Sequence, residues 1–425
     1  MDQFLSEMPK SAVANRRSIT ARVAVVAAGV VSPLGFGLSE TLDSLQEARD
    51  CITRVTRFSV AECRCKTAGQ VSDERLLSNR SKAGRAQRLH RASHMMISAL
   101  GEALAQSPQF KPELTIVGTT SGGMSYGEDY LRALNRHDSL RHSPTWIANY
   151  PAQKPVLDAQ ETFGISAPCQ VIANACASGT NAIGHAFECV RSGRYERILT
   201  GGYDALSELV FVGFDSLQAS TSEKCRPFDR DRTGMVLGEG AAVLALENLD
   251  VARECGTPVL AEIIGYGIST DNFHMTQPNP SGIGPRQAME RALQSARLPA
   301  DKIDYINAHG TATLFNDAAE GKAISELFDH VPVSSTKSMM GHSLGAAGAI
   351  EAIICLLALQ HQFLPPNINF RASDEAVDLN IVANDARAMA LRTVLSNSFG
   401  FGGTNASIVI QKIHFRQGYG GQVEA

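Results

Sequence analysis

The chain has one tryptophan in 425 residues, and aromatic residues make up only 6% of it. Its nine cysteines include no C-x-x-C pair. An odd, scattered set of thiols argues against a disulfide framework, and no His or Cys partner stands at metal-ligand spacing from Cys63 and Cys65. The expectation is no firm metal site and a reducing, cytoplasmic setting. No long basic block is present and the net charge is −4, so nucleic acid is not an expected partner. The segment MDQFLSEMPKSAVANRRSIT (1–20) lacks an apolar core and carries acidic side chains, which reads as a flexible extension rather than a signal. The most apolar run, GAAGAIEAIICLLALQ (345–360), is short for a membrane span and interrupted by Glu351. It reads as a buried helix, so no membrane association is expected. The tail, 413–425, reads as disordered.

What is present is alternation. Strand-like runs at 21–31, 111–121, 169–175, 194–204, 240–249, 259–269, 303–311, 331–337 and 389–413 are separated by helical patterns. Those patterns cover 85–106, 177–192, 284–297, 317–328 and 345–361. This order predicts an α/β fold with layered sheets. An internal repeat is also visible. CASGTNAIGHAF follows one strand and HSLGAAGAIEAI follows another, each placing Gly three residues after a reactive side chain and then a small-residue helix. Two duplicated halves follow, 21–258 and 259–412, unless two small-residue helices merely look alike.

Within QVIANACASGTNAIGHAF (170–187), Cys176 stands where a strand meets a helix start. A thiolate is the reactive form of cysteine, and a helix N-terminus favours it through free N–H groups and the macrodipole. Cys176 is therefore the candidate nucleophile, against the alternative that it is one more core thiol. Gly179 allows close approach of another backbone. His309, in NAHGTAT, and His342, in STKSMMGHSLG, each end a strand inside a Gly/Ser/Thr stretch, where α/β folds collect reactive groups. SNSFGFGGTNAS (396–407) is a glycine-rich turn carrying Phe399 and Phe401. It has no Lys and no following helix, so phosphate-loop readings fail. CRPFDRDRTGMVLGEGAA (225–242) is dense in Arg and Asp and reads as an ion-pair network bracing a turn.

Five segments, NACASGTNAIGHAF, RPFDRDRTGMVLGEGA, NAHGTATLFND, STKSMMGHSLGAAGAIEA and NSFGFGGTNAS, resemble in order the signatures of β-ketoacyl-acyl carrier protein synthases of the elongating Cys-His-His type. The resemblance covers about residues 21–412. It implies a thiolase-like fold, a duplicated five-layered α-β-α-β-α core, and a decarboxylative Claisen condensation. By that resemblance Cys176 takes the acyl group, while His309 and His342 polarise the malonyl thioester carbonyl. Lys337 orders the histidine loops through a carboxylate such as Glu320 or Asp317. The backbone N–H groups of Cys176 and Phe399 form the oxyanion hole. Thr311 and Thr313 hold the pantetheine arm, and Phe399, with Phe401, forms a gate. Asn307, Glu351, Ser396 and Asn397 match a monovalent-cation site of some members. No cofactor belongs to the enzyme itself, because phosphopantetheine is carried by the acyl carrier protein.

The chain departs from the family pattern at several places. Leu314-Phe315 stands for Pro-Leu, Met235 for an aromatic, and neutral Gln218 where relatives often place Arg. Ser121 replaces a bulky aliphatic near the floor of the acyl pocket, which suggests a longer or stiffer chain. An acidic carrier protein calls for a basic patch, and Arg85 and Arg88, with Arg80, Lys82 and Arg91 nearby, are the expected one. The family forms dimers through the strand before the nucleophile. A homodimer is expected, or a heterodimer with a chain-length factor. The first reading is fatty acid elongation and the second a specialised type II polyketide or polyene system. A non-catalytic chain-length subunit is a third, disfavoured because Cys176, His309 and His342 are all present. A thiolase needs a second catalytic Cys near the C-terminus, and Cys355 lies in the expected buried helix.

Overall fold

The computed structural model describes residues 20–78, 89–138, 140–374 and 377–413. The first half contributes β1 (Val23–Ser32), β2 (Leu114–Gly118), β3 (Cys169–Ile172), β4 (Arg197–Asp204) and β5 (Gly240–Asn248). The second half contributes β6 (Ala261–Thr270), β7 (Tyr305–Asn307), β8 (Pro332–Ser334), β9 (Thr393–Gly400) and β10 (Thr404–Gln411). The half-sheet order is β3-β2-β4-β5-β1 in one and β8-β7-β9-β10-β6 in the other. Relative to sequence, these are the same order. The pairing senses also match: the inner strand, β2 or β7, is parallel to both neighbours, and the last two pairings are antiparallel. The internal repeat read from two short motifs is thus a repeat of topology.

The halves join where β1 and β6 run antiparallel, Val23 opposite Ile263 and Val25 opposite Ala261. Every residue of β1 is buried, as expected for a Val-rich strand covered on both faces. Helices Ser178–Arg191 and Ala347–His361 pack against each other and each touches strands of both halves, forming the central layer. Helix Arg91–Gln106 covers β1 and β5 from outside, and Ile283–Ala296 covers β6 and β10. The result is the expected α-β-α-β-α layering. The apolar run around Glu351 forms this central helix, buried from Ala347 to Leu359.

The two central helices approach closely because both carry glycine at the crossing. A Cβ at Gly179 would lie 2.7 Å from the Gly345 carbonyl oxygen and 2.9 Å from the Ala349 nitrogen. Helices Met124–Asn135, Ser143–Asn149, Lys154–Thr162 and Glu208–Ser216 were not anticipated from periodicity. The edge strand β3 has only one neighbour, β2, among the described residues.

Candidate active site

Cys176 follows β3 through a tight link. Ala175 holds a left-handed φ of +55°. The Ser178 hydroxyl donates to the Ala175 carbonyl at 2.6 Å and accepts the Asn174 N–H at 2.9 Å. This fixes the thiol at the head of its helix, 5% exposed. The expected low pKa is not found. Burial pushes the thiol up to about 12, and the Lys337 charge only partly offsets it. Desolvation outweighs the helix terminus because the thiol is enclosed, so the resting nucleophile is a thiol.

The backbone N–H groups that approach this sulfur belong to Phe401 and to Cys176 itself. This corrects the expectation for Phe399. Phe399 lies within β9, opposite Asn405. Its ring instead packs against His309, with centroids 5.9 Å apart. Phe401 lies in the following turn, where Gly402 and Gly403 hold φ of +84° and +76°, and rests on Phe214 at 5.3 Å. Of the two proposed gate residues, Phe401 is the one on the turn.

His309 follows β7. Its backbone N–H and that of Gly310 donate to the Glu320 carboxylate, both at 2.8 Å. Asp317 accepts the Thr311 N–H at 3.0 Å and the Phe228 N–H at 2.7 Å. His342 is anchored through its own N–H to the Val236 carbonyl at 2.7 Å. The imidazoles meet edge to face, centroids 5.2 Å apart. Burial first, then the Lys337 charge, holds both well below the ordinary histidine range, and His342 lowers His309 further. Both are neutral at pH 7. His342 Nδ1 accepts the Leu344 N–H at 3.3 Å, so its proton is on Nε2, which is buried and has no protein partner.

Lys337 is 1% exposed and is paired with Glu351 from the central helix. This corrects the expectation of Glu320 or Asp317, whose carboxylates are spent on backbone N–H groups of the His309 loop. Burial raises Glu351 and Glu320 each to about 7, and in Glu351 Lys337 opposes the rise.

The remaining candidates divide. The Thr311 and Thr313 hydroxyls lie 2.9 Å apart and line, with Cys176, His309, His342, Phe399 and Phe401, one cavity of about 170 Å3. Ser121 does not line it. Its hydroxyl and N–H donate to Asp204, each at 2.8 Å, because the loop after β2 wraps that buried carboxylate. The Gly345 N–H joins them at 2.7 Å, so Asp204 ties the His342 turn to the first half. Nothing in the reading of the sequence singled out Asp204. The available signal was an acidic residue ending the strand RILTGGYD.

Of the cation candidates, Asn307 Oδ1, Glu351 Oε2 and Ser396 Oγ are buried without a hydrogen-bond partner, and Asn307 pairs with Ser396 in register. The Asn397 side chain is engaged, donating to Glu320 at 3.2 Å and accepting from Ser407 at 2.7 Å. Arg85 and Arg88 lie outside the described residues, as do Arg80 and Lys82. Arg91 is buried and paired with Glu239 and Asp73, a brace rather than a docking side chain. The 225–242 segment is the ion-pair brace expected: Arg232 pairs with Asp374 at 2.6 Å and donates to the Thr313 and Leu314 carbonyls.

A duplicated α/β fold whose halves deliver one Cys and two His to a single buried cavity is a thiolase-like fold. The Beta-ketoacyl synthase N-terminal domain matches residues 20–252 and the C-terminal domain 260–371, and the chain belongs to the β-ketoacyl synthase family. It is 35% identical over 411 residues to a 3-oxoacyl-[acyl-carrier-protein] synthase 2 of Synechocystis sp., covering 92% of this chain and 98% of that one. Among solved structures it resembles the ishigamide ketosynthase/chain length factor, with TM-score 0.87, 32% identity, and coverage of 93% and 100%. It also resembles a type II polyketide synthase ketosynthase solved with its acyl-carrier protein and bound to the hexaketide. There the TM-score is 0.83, identity 25%, and coverage 93% and 100%.

Proposed function

We propose that this chain is a β-ketoacyl-acyl carrier protein synthase working through Cys176, His309 and His342. The observation that carries the reading is the neutral His342 with a free Nε2–H, set against His309 in the cavity that holds the Cys176 thiol. The Cys176 sulfur attacks an acyl thioester, the carrier's carbon–sulfur bond breaks, and the proton leaves with the pantetheine thiol. Malonyl thioester then loses CO2, and its electron pair becomes an enolate. Neutral imidazole N–H groups stabilise that developing charge without a strong base. The enolate carbon attacks the acyl-Cys carbonyl, whose oxyanion lies against the Cys176 and Phe401 N–H groups. Collapse expels the cysteine, which recovers a proton.

No cofactor of the enzyme's own enters this scheme. A monovalent cation fits the unpartnered oxygens of Asn307, Glu351 and Ser396, where it would balance buried negative charge. The partner is an acyl carrier protein. The free edge of β3 suits pairing with a second copy or a homologous chain-length factor. Free thiols throughout the described residues accord with a cytoplasmic enzyme.

The likeness to the ishigamide ketosynthase/chain length factor favours a second reading for the pathway, a specialised polyketide or polyene system. The test is intact mass after incubation with saturated and polyunsaturated acyl carrier protein thioesters, with Cys176→Ala alongside. An acyl adduct requiring Cys176 is expected, and the chain that loads best chooses the pathway. No adduct with any donor overturns the catalytic reading in favour of a non-catalytic subunit.

A further inference from the structure

The thiol comes from one half of the fold and the imidazoles from the other, so their spacing is set by whatever ties the halves together beside them. Asp204 stands at that point. It ends β4, is fully buried and does not line the Cys176 cavity. Its carboxylate collects six donors. Oδ1 accepts the Thr119 hydroxyl and the Ser121 hydroxyl and N–H, each at 2.8 Å, and the Gly122 N–H at 3.2 Å. Oδ2 accepts the Thr120 N–H at 2.9 Å and the Gly345 N–H at 2.7 Å. Burial raises this carboxyl, and the donors oppose the rise.

Oδ2 is the atom where the halves meet. Thr120 leads to the nucleophile: its hydroxyl donates to the Ala175 carbonyl at 3.2 Å, and Ala175 is the left-handed residue just before Cys176. Gly345 leads to the histidine. It follows Leu344, also left-handed with φ of +54°, whose N–H meets His342 Nδ1 at 3.3 Å. Two non-glycine residues in a disfavoured conformation thus flank one carboxylate oxygen, and such conformations persist only where the surroundings hold them. The approach is close. A Cβ at Gly345 would fall 2.6 Å from the Thr120 nitrogen and 2.8 Å from Oδ2. Asp204 is also felt at the thiol: burial raises Cys176, Lys337 opposes that, and the Asp204 charge adds to the rise.

We propose that Asp204 is a positioning residue for condensation: its Oδ2 ties the Cys176 link to the His342 turn, so that thiol and imidazole hold their spacing while the new carbon–carbon bond forms. This role rests on the condensing reading above. Acylation needs the thiol and its oxyanion donors, and decarboxylation needs the imidazoles. Joining the enolate carbon to the acyl-Cys carbonyl needs both at a set distance, where a displacement of about 1 Å costs about a hundredfold. Asp204 therefore acts on the joining step more than on either half-reaction.

The experiment uses the full chain with acyl and malonyl groups on a type II fatty-acid acyl carrier protein. Cys176 acylation is followed by intact mass with the acyl donor alone, CO2 release with the malonyl donor alone, and β-ketoacyl product with both. The readout is CO2 released per β-ketoacyl product. In Asp204→Asn the amide NH2 must face two backbone N–H groups on whichever side it lies, so the tie opens. CO2 per product should rise about tenfold or more, while acylation and decarboxylation alone each stay within about fivefold. Thr120→Val, at an exposed position, keeps the N–H to Asp204 and removes the hydroxyl from Ala175. It should raise the ratio about threefold, and Thr120→Ser, which keeps the hydroxyl, should hold it within about 1.5-fold. An unmoved ratio in Asp204→Asn, or all three rates falling by one factor, overturns the positioning role. Where Asp204→Asn does not fold, Thr120→Val decides, and an unmoved ratio there overturns the role equally. Neither acylation nor CO2 release in the unsubstituted enzyme overturns the condensing reading instead.

Discussion

Glu351→Gln is the change with the clearest physical consequence. Glu351 is fully buried in the central helix and Lys337 is 1% exposed, and the two form an ion pair. Removing one partner leaves a buried ammonium facing a neutral amide, a loss of about 3–5 kcal/mol in comparable cases. Lys337→Met alone strands the carboxylate, with a similar cost. Removing both, as Lys337→Met with Glu351→Leu, leaves no lone charge and fills similar volume, so about 1 kcal/mol or less should be lost. With Glu351→Leu as the other single variant, the cycle then gives a coupling energy of about 5 kcal/mol or more, above the usual range of about 0.5–3 kcal/mol because each single variant strands a buried charge. Urea unfolding at pH 7 measures it, provided the slope m is unchanged among variants. A single-variant loss below about 1 kcal/mol, or a double variant no more stable than its worse parent, would refute the argument.

The same double variant separates stability from electrostatics at the histidines. The Lys337 charge is the second cause, after burial, holding His309 and His342 low. Without it both should titrate at higher pH. The acidic limb of malonyl decarboxylation should then move upward in pH relative to the unsubstituted enzyme.

In the unsubstituted enzyme, neutral imidazoles should persist on acidification through pH 6.5, so decarboxylation should not fall there, and a pH–rate profile between about pH 5.5 and 7.5 checks it. The sign for stability runs the same way. Depressed histidines contribute fully above pH 6.5 and that contribution is lost as pH falls, because the unfolded chain binds the protons first. Iodoacetamide should modify Cys176 slowly at pH 7 and about tenfold faster per pH unit up to pH 9, since the thiol is raised to about 12 and the thiolate fraction grows tenfold per unit. A pH-independent rate would show a thiolate already present. Gly179→Ala should lose about 1–3 kcal/mol in urea unfolding, because its Cβ would meet backbone atoms at 2.7 Å and 2.9 Å that cannot rotate away.

The strands and the principal helices were legible because buried strands in a layered fold are continuous Val/Ile/Ala runs closed by polar or glycine punctuation. The helices Met124–Asn135, Ser143–Asn149, Lys154–Thr162 and Glu208–Ser216 were not. Leu131, Leu134, Ile147, Leu209 and Val212 are exposed in them, and only a few apolar side chains such as Val156, Ala159 and Phe211 face the core, so the apolar pattern there does not follow burial. The catalytic candidates were legible as residue types at strand ends. Which atoms they hold was less so. Glu351 was visible as a break in an apolar run, and a buried carboxylate needs a partner, but two other carboxylates lay nearer the histidine motif. Phe399 and Phe401 are two residues apart, and only the end of β9 at Gly400 separates the one inside the strand from the one on the turn.

The protonation states of the site share one cause, which is how much of it is out of water. Enclosure raises the Cys176 thiol, although a helix begins just after it. Enclosure also keeps His309 and His342 uncharged beside a lysine, and it lifts Glu320 and Glu351 toward neutral pH. Apart from the Lys337–Glu351 pair, the resting cavity therefore carries little charge. Charge arises only as the reaction proceeds, on the attacked carbonyl and on the enolate, where fixed N–H groups already point. Interactions of that kind are stronger in the transition state than in the ground state, and so they raise turnover rather than substrate binding. A charged resting thiolate would attract the imidazoles toward protonation and would leave fewer neutral donors for the enolate. The protonated thiol and the neutral histidines are thus two consequences of one low-dielectric enclosure, and they are mutually required.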